Sequence, residues 1–505
     1  MPLFGRRKSE TQASASSPPR VVVDAARRLI RGRFDAATNN DVSRRHWAMA
    51  DSLSADAAAS PGVRRMLRDR GRYETANNSY AKGIVLTLAN DTVGSGPRLQ
   101  LLTDNPDIND RVEEAFAQWC KAIDLPEKLR AMRMARAEAG EAFGVMAQNP
   151  RLNSRVKLDL RLFEADQVAT PTITSLDPNA VDGVVFDAWG NPVEYHFLKR
   201  HPGDVARSGQ FAFGHEYDTV PARNVIHYFR ADRPGQSRGI PDITPALPLF
   251  ALLRRYTLAT IGAAETAANF AGILYTDAPA GGESEAVEPM DSIELEARAL
   301  LTMPGGWRME QMRAEQPTTT YNEFKREILN EIARCLNMPF NVAAGNSSGY
   351  NYASGRLDHQ TYFKSLEVEQ DFIERKVLDR LFAAFLDEAV LITGLLPLQV
   401  RSMIAAGELD HQWFWDGREH VDPAKEAMAQ ERRLNNNTTT LAAEYARKGL
   451  DWEHELRQRF KEKARDMDLR REFGLPESEP ESASSMQAMV AEAVALALEE
   501  INTHE

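Results

Sequence analysis

Apolar positions change their period along the chain, and the changes divide it. The first clear helical period covers Thr75–Asn90, with Ala76, Tyr80, Ile84, Leu86 and Leu88 among its apolar positions. It stops at the turn-forming Gly94-Ser95-Gly96-Pro97. Upstream, helical patterning runs through the arginine-rich stretch 21–72, and the polar residues 1–20 read as a disordered arm with no apolar signal-peptide core. Helices are predicted over Asp107–Ala122 and Glu127–Gly140. The period then shortens: Val156–Phe163 alternates as a strand does, and Gly183–Val185, Val193–Leu198 and Asn224–Phe229 read as strands too. Trp189-Gly190-Asn191-Pro192 is placed for a hairpin turn between two of them. Residues 141–230 are thus a β-rich block in a mostly helical protein.

A long apolar helix follows from Pro241 to about Asn269, on the order of 40 Å at 1.5 Å per residue. Ala259, Gly262, Ala263, Ala264, Ala267 and Ala268 crowd its second half, a pattern suited to close helix packing in a core or between subunits. Residues 271–318 interrupt it with a strand-like Ala271–Tyr275, an acidic Ala278–Pro289 and a tight turn at Pro304-Gly305-Gly306-Trp307. A second helix runs from about Thr320 to Leu336, carrying Phe324, Ile328, Ile332 and Leu336 at i, i+4 spacing. The order is helix, small β insertion, helix. Gly345–Gly355 is rich in Gly, Asn and Ser, lacks an apolar period and reads as a loop. A long helix, Arg356–Ile392, carries Phe363, Leu366, Ile373, Val377, Leu381 and Phe385 along one face. Charged helices are expected at Gln399–Ala406, Asp422–Arg433, Thr439–Lys448 and Trp452–Arg471, then a linker at Pro476–Ser485 and a short apolar helix at Met486–Glu500.

The 505 residues are 43% hydrophobic and carry a net charge of −12. That is enough chain for two to four domains, and its balance excludes a protein that is basic throughout and binds nucleic acid non-specifically. Contact with DNA must be local, or the acidic surface must act as a non-sticking wall. Cys120 and Cys335, the two cysteines, imply neither a disulfide framework nor a zinc site. No run of about 18 apolar residues suggests a membrane span.

Candidate chemistry is sparse. Gly345-Asn346-Ser347-Ser348-Gly349 matches the nucleophile-elbow pattern, but its flanks lack the required buried strand and helix, so a polar loop is the better reading. No phosphate-cradling G-x-x-x-x-G-K-[ST] occurs, so the chain is not an ATPase of that type. His196 and His201 flank a strand end and read as surface histidines. Glu138 and Glu141 read as neighbours on the solvated face of one helix. Arg64, Arg65, Arg68, Arg70 and Arg72 form a charged helix paired with acidic neighbours or, alternatively, a contact with DNA or an acidic partner.

Four stretches together resemble the lambda-type family of phage portal proteins. They are Asn77-Asn78-Ser79-Tyr80-Ala81-Lys82-Gly83 continuing to Asn90-Asp91-Thr92-Val93-Gly94-Ser95-Gly96; Val225–Phe229 with Arg233-Pro234-Gly235-Gln236-Ser237-Arg238-Gly239-Ile240; Asn351-Tyr352-Ala353-Ser354-Gly355-Arg356; and Val421-Asp422-Pro423-Ala424-Lys425-Glu426. The Arg-Pro-Gly-Gln-x-Arg-Gly string is the most specific of them. Order and spacing match from about residue 40 to about 455; Ser79 stands where the family has proline, Ala353 where it has serine, and Gly355 at a variable position.

The resemblance implies a mixed α+β, mainly helical portal fold. It has an N-terminal arm (1–20), an α/β wing (21–240), a stem helix (241–270), a β-containing clip (271–318), a second stem helix (319–340), a channel loop (341–355), a long helix returning to the wing (356–400), a helical crown (401–475) and a tail (476–505). It further implies a homo-oligomeric ring, a dodecamer in the particle, at the capsid vertex of the virion, assembled in the host cytoplasm. Its partners would be double-stranded DNA in the channel, the terminase packaging motor, a head-completion adaptor, and the major capsid and scaffold proteins. No membrane, metal, cofactor or catalytic residue is implied. Asn346, Ser347, Ser348, Asn351, Tyr352 and Arg356 would face the DNA, with Arg356 at or near a helix start. Asn78, Tyr80, Arg233, Pro234, Gly235, Gln236, Arg238 and Gly239 would be structural. The alternatives are another head–tail ring or connector protein, or a serine hydrolase using Ser347.

Overall fold

The computed structural model describes residues 45–171, 179–204, 216–269, 273–276, 307–310, 321–349, 352–417 and 423–474. It divides into two compact units, Met1–Ala58 and Ala59–Glu505. In the first, the described residues include a single helical turn at Ala55–Ala58. The expected arm at 1–20 and the expected C-terminal linker and helix lie outside the described residues.

The larger unit opens with two helices, α1 (Pro61–Asn77) and α2 (Ser79–Val93). The sequence predicts one helix across this boundary, and Asn78 is what breaks it. Its backbone is extended (φ −119°, ψ 116°), and its side-chain oxygen accepts from the Tyr80 and Ala81 amides, so it caps α2 instead of continuing α1. After strand β1 (Arg98–Leu101) come α3 (Pro106–Ala122) and α4 (Leu125–Ala139). Gly140, in the left-handed conformation at φ 94°, ends α4. Strand β2 (Glu141–Gln148) begins at the next residue. Glu138 and Glu141 are therefore not neighbours on one helix. The first closes a helix, and the second opens a strand and is completely buried.

β2 is the middle of an antiparallel three-stranded sheet, between β3 (Leu158–Phe163) and β8 (Val225–Phe229). A second antiparallel sheet runs in sequence order through β4 (Ala180–Val181), β5 (Val184–Phe186), β6 (Pro192–Leu198) and β7 (Tyr217–Pro221). The turn expected around Trp189 joins β5 to β6. Asp187 organises it, its carboxylate accepting from the Trp189 and Asn191 amides at 2.9 and 2.8 Å. Apolar side chains between the two sheets, including Phe143, Val168, Tyr195 and Phe197, form one core cluster.

Helix α5 (Leu247–Asn269) starts later than its apolar run predicts, because Thr244–Ala246 form a 3₁₀ turn ahead of it. Of residues 271–318, two strands are described, β9 (Ile273–Thr276) and β10 (Trp307–Glu310), paired antiparallel with Trp307 opposite Thr276. Trp307 thus sits in a strand. Helix α6 (Tyr321–Arg334) and a short α7 (Phe340–Ala344) follow. Helix α8 (Tyr352–Ile373) runs through a π turn at Glu374–Leu378 into α9 (Asp379–Ala389). Then come α10 (Leu398–Ala406), strand β11 (His411–Phe414), α11 (Pro423–Asn435), α12 (Leu441–Ala446) and α13 (Trp452–Glu472). β11 pairs with β1 across more than 300 residues of chain.

Two larger cores organise these helices. One gathers Phe116, Trp119, Phe382, Phe385 and Trp413 in edge-on and tilted ring contacts about β1, α3 and α9. The other packs α2, α5, α6 and α8 through Ile84, Leu88, Phe250, Leu329, Ile332 and Leu366. The fold is mixed α+β and mainly helical.

Candidate functional site

Arg238 and Gly239 of the motif meet Glu141 at a buried polar node where α4, β2 and β8 come together, while Arg233, Pro234 and Gly235 are exposed. Burial without a partner would cost a charged group many kcal/mol, so each charge here must be matched. Glu141 is fully buried and supplies the negative charge. Its carboxylate accepts from Arg238 Nη2 at 2.7 Å, from Arg238 Nε at 2.9 and 3.0 Å, and from the Gly239 amide at 2.9 Å. His227 Nε2 lies 3.0 Å away and Arg68 Nη1 3.5 Å. Burial would push the Glu141 carboxyl up, but Arg238 and the His227 hydrogen bond outweigh it and hold it below the ordinary carboxylate range. Burial lowers the His227 imidazole despite Glu141, favouring its neutral form. The remaining guanidinium protons of Arg238 go to the carbonyls of Ala165, Val168 and Asp182.

The Arg-Pro-Gly-Gln-x-Arg-Gly string builds the turn that delivers Arg238. Gln236 accepts from the Asp232 and Arg233 amides and donates to the Arg238 carbonyl at 2.8 Å. Gly235 takes φ 77°, which the turn requires and a side chain resists. Gly239 is needed for a different reason. A Cβ there would lie 2.1 Å from the Gly140 carbonyl oxygen, so two backbones touch at this point. A second buried group, Asp242, ties the same connection to α4 through Arg133 at 2.9 Å and Arg136 at 3.7 Å. Asn78 adds a link to α5, its amide donating to the Phe250 carbonyl at 3.4 Å. Tyr80 lies under the Lys325 ammonium, 5.0 Å from its ring centre.

The basic run on α1 belongs to this region. Arg64 pairs with Asp182, Arg68 with Asp166 at 3.2 Å, and Arg72 with Glu164 and Asp166 at 2.8 and 2.7 Å. The reading as a helix paired with acidic neighbours holds for these three, while Arg65 and Arg70 point to solvent. His201 is half-buried rather than on the surface and stands 3.4 Å from Glu164, completing a Glu164–Asp166–His201 group of metal-ligand size. Arg68 and Arg72 already neutralise its carboxylates, so the group has no charge deficit for a cation to fill.

The second region is the tip after α7. Pro339 precedes the helix and Gly345 ends it at φ 61°, so 341–344, expected to be loop, belong to a short helix that starts at Phe340. Asn346, Ser347 and Ser348 are exposed, and the Ser348 amide donates to the Asn346 side chain at 2.9 Å. Asn351 lies outside the described residues. Tyr352 opens α8, which places the exposed Arg356 in the second turn of that helix rather than at its start. The element before Gly345 is a helix, so the strand a nucleophile elbow needs is missing, and Ser347 sits on an open tip. Beside it, the Arg326 guanidinium stacks 5.2 Å from the Phe340 ring centre. Arg326, Glu327 and Arg334 of α6, with Asp358 of α8, line a hollow of about 340 Å³ next to the tip. The sequence reading missed these charges. The signal available was the i, i+4, i+8 spacing of Arg326, Asn330 and Arg334 on one helix face.

No helix among the described residues is long and apolar enough to cross a membrane. At the node a short contiguous motif joins the three-stranded sheet to helix α4 through buried, matched charges. The chain belongs to the phage portal protein, lambda family, whose model matches residues 43–370. It is 25% identical over 412 residues to a probable portal protein of Halomonas phage phiHAP-1, covering 76% of this chain and 77% of that one. It is also similar to a chain from the neck of a native gene transfer agent particle computed with C12 symmetry, at 14% identity and TM-score 0.45, covering 77% of this chain and 94% of that one. A chain from the virion of a native gene transfer agent particle gives 15% identity and TM-score 0.41, covering 81% and 99%. The protein is a portal subunit.

Proposed function

We propose that twelve copies form a ring at a single capsid vertex, and that the ring is the channel through which double-stranded DNA is packaged and ejected. The observation that carries this reading is the order α5, β9–β10, α6, exposed tip. Helices α5 and α6 are the stem and flank the passage. The β9–β10 pair belongs to a clip that meets the terminase motor and then the head-completion adaptor. The β-rich block is the wing, and the helices after residue 400 are the crown beside capsid and scaffold proteins. Assembly takes place in the host cytoplasm, and the ring ends in the virion.

DNA must slide through such a ring. Every phosphate neutralised by lysine or arginine adds affinity through counterion release and so acts as a brake. Residues 345–355 contain no charged residue. In this reading Asn346, Ser347, Ser348, Asn351 and Tyr352 approach the DNA, with Arg356 and Arg326 set back on helices. The role asks nothing catalytic of the chain; ATP chemistry belongs to the motor. Negative-stain images of the purified full chain are expected to show rings with a central hole, turbine-like from the side, and a globular monomer would overturn the reading. Within such rings, Ser347→Lys with Ser348→Lys is expected to impair packaging or ejection; unchanged packaging would remove the tip from the channel. Labelling of Ser347 by an active-site serine probe would favour a hydrolase instead.

A further inference from the structure

A groove of about 1010 Å³ runs between α3, the start of α4 and the first turns of α13. Phe116, Ala117, Cys120 and Phe414 line its floor, and Ala117 leaves an exposed gap in the middle of α3. Its rim is acidic, with Asp110, Glu113 and Glu114 on α3, Glu127 on α4, and Asp451 and Glu455 around the start of α13. Most of the cations there are engaged. Arg98 donates to the Gly449 carbonyl at 2.9 Å, Arg130 to the Gly94 carbonyl at 2.8 Å, and Arg457 pairs with Asp110 at 2.7 Å. Glu113, Glu114 and Glu127 have no cationic partner among the described residues. Burial, then Asp451 and Asp110, push the Glu113 carboxyl up to about 7. The groove is apolar below and short of positive charge above.

The chain contains a segment of the opposite character. Residues 20–34 carry Arg20, Arg27, Arg28, Arg31 and Arg33 against a single Asp24. At helical spacing Val22, Ala26, Leu29 and Ile30 share one side, while Arg27, Arg28 and Arg31 share the other. Fifteen residues at that spacing measure about 22 Å, against about 25 Å for α3. We propose that the groove takes residues 20–34 of another copy of the chain, with the apolar side on Ala117 and the arginines against Glu113, Glu114 and Glu127. The inference rests on assembly of copies into a ring, not on what passes through it.

Limited trypsin digestion of the full chain in its assembled state tests this, with cleavage after Arg27, Arg28, Arg31 and Arg33 followed by mass spectrometry. Charge reversal at the groove, Glu113→Lys with Glu114→Lys and Glu127→Lys, is expected to speed these cuts at least about tenfold, since protease attack follows the population of the undocked segment. The same change in net charge made far away, Asp466→Lys with Asp468→Lys and Glu472→Lys, is expected to leave them unchanged. Ala117→Trp fills the floor without altering charge and is expected to reproduce the tenfold effect. Adding Arg27→Glu, Arg28→Glu and Arg31→Glu to the groove reversal is expected to restore protection at Arg33. Rings that mix isotope-labelled groove-reversed subunits with arm-reversed ones are expected to protect the labelled arms, because intact grooves then sit on other copies.

Equal cleavage of wild type and both groove variants, in rings verified by negative stain, overturns the docking. So does protection in the control variant falling as far as in the groove variants. Labelled arms left unprotected in mixed rings overturn the assignment to another copy. Wild-type protein that forms no ring fails the portal reading itself, a separate result.

Discussion

Replacing Glu141 with leucine keeps the volume of a buried side chain and removes the carboxylate on which the polar node converges. Arg238 would be left fully buried, with three backbone carbonyls and the Asp182 carboxylate, 3.3 Å away and already paired with Arg64. The Gly239 amide and His227 Nε2 would each lose their acceptor. Removing one partner of a buried pair costs about 3–5 kcal/mol, because the other charge stays behind in a medium that cannot solvate it. Against a total stability of about 5–15 kcal/mol, that is a large fraction. Removing both charges, Glu141→Leu with Arg238→Met, is expected to cost less than the single change, since the groups left unpaired are then neutral, namely the three carbonyls, the Gly239 amide and the His227 imidazole, while Arg68 keeps Asp166. The coupling between the two positions should be at least about 2 kcal/mol. Urea unfolding followed by tryptophan fluorescence measures all of this, at one fixed protein concentration because an oligomer's stability depends on it. A single-variant loss below about 1 kcal/mol, or a double variant that loses the sum of the two singles, would refute the claim that the node is a matched charge cluster.

Further outcomes follow from the same structure. Gly239→Ala is expected to destabilise by about 2 kcal/mol or more, because backbone atoms cannot yield to its Cβ, whereas Gly235→Ala, with nothing within 4 Å, should cost only the left-handed backbone penalty of about 1–2 kcal/mol; thermal melts of the pair compare them. Asn78→Ala should lose about 1 kcal/mol through the cap of α2, read by the same melts. Glu113 has its folded value raised to about 7, so its contribution is favourable at low pH and is lost as pH rises from about 4.5 to about 7; Glu113→Gln, half-exposed in its groove, should therefore stabilise by about 1 kcal/mol at pH 8 and by nothing at pH 4, seen as a shift in urea midpoint. Glu141, Asp166 and Asp242 have lowered values, and their contributions are present above about pH 4 and lost as pH falls further, while the lowered His227 adds an earlier loss that begins below about pH 6.5 and should vanish in His227→Gln.

Much of the fold is legible along the chain because local physics decides it. Helices α3, α4, α6 and α13 have strong apolar periods or clear starts and stops, and they fall within a few residues of where the pattern puts them. The β5–β6 hairpin is equally local, since Asp187 and Gly190 fix its turn within six residues. The motif strings that identify the family are likewise short and contiguous, so they are visible without coordinates.

What stayed hidden depends on partners distant in sequence. β1 and β11 are four-residue strands that, among the described residues, have each other as sheet partner, so neither carries a period long enough to read. Glu141 looked like one of two solvated helical carboxylates; Gly140 turns it into the first residue of a strand, and Arg238, 97 residues away, makes its complete burial tolerable. Asn78 divided an apparently continuous helix because its side chain could bond both its own next turn and the Phe250 carbonyl across the core. The sequence by itself determined which residues could be apolar faces, caps, turns and the uncharged tip. Only the tertiary structure decided which charges are buried, because burial is set by whichever opposite charge the fold brings alongside.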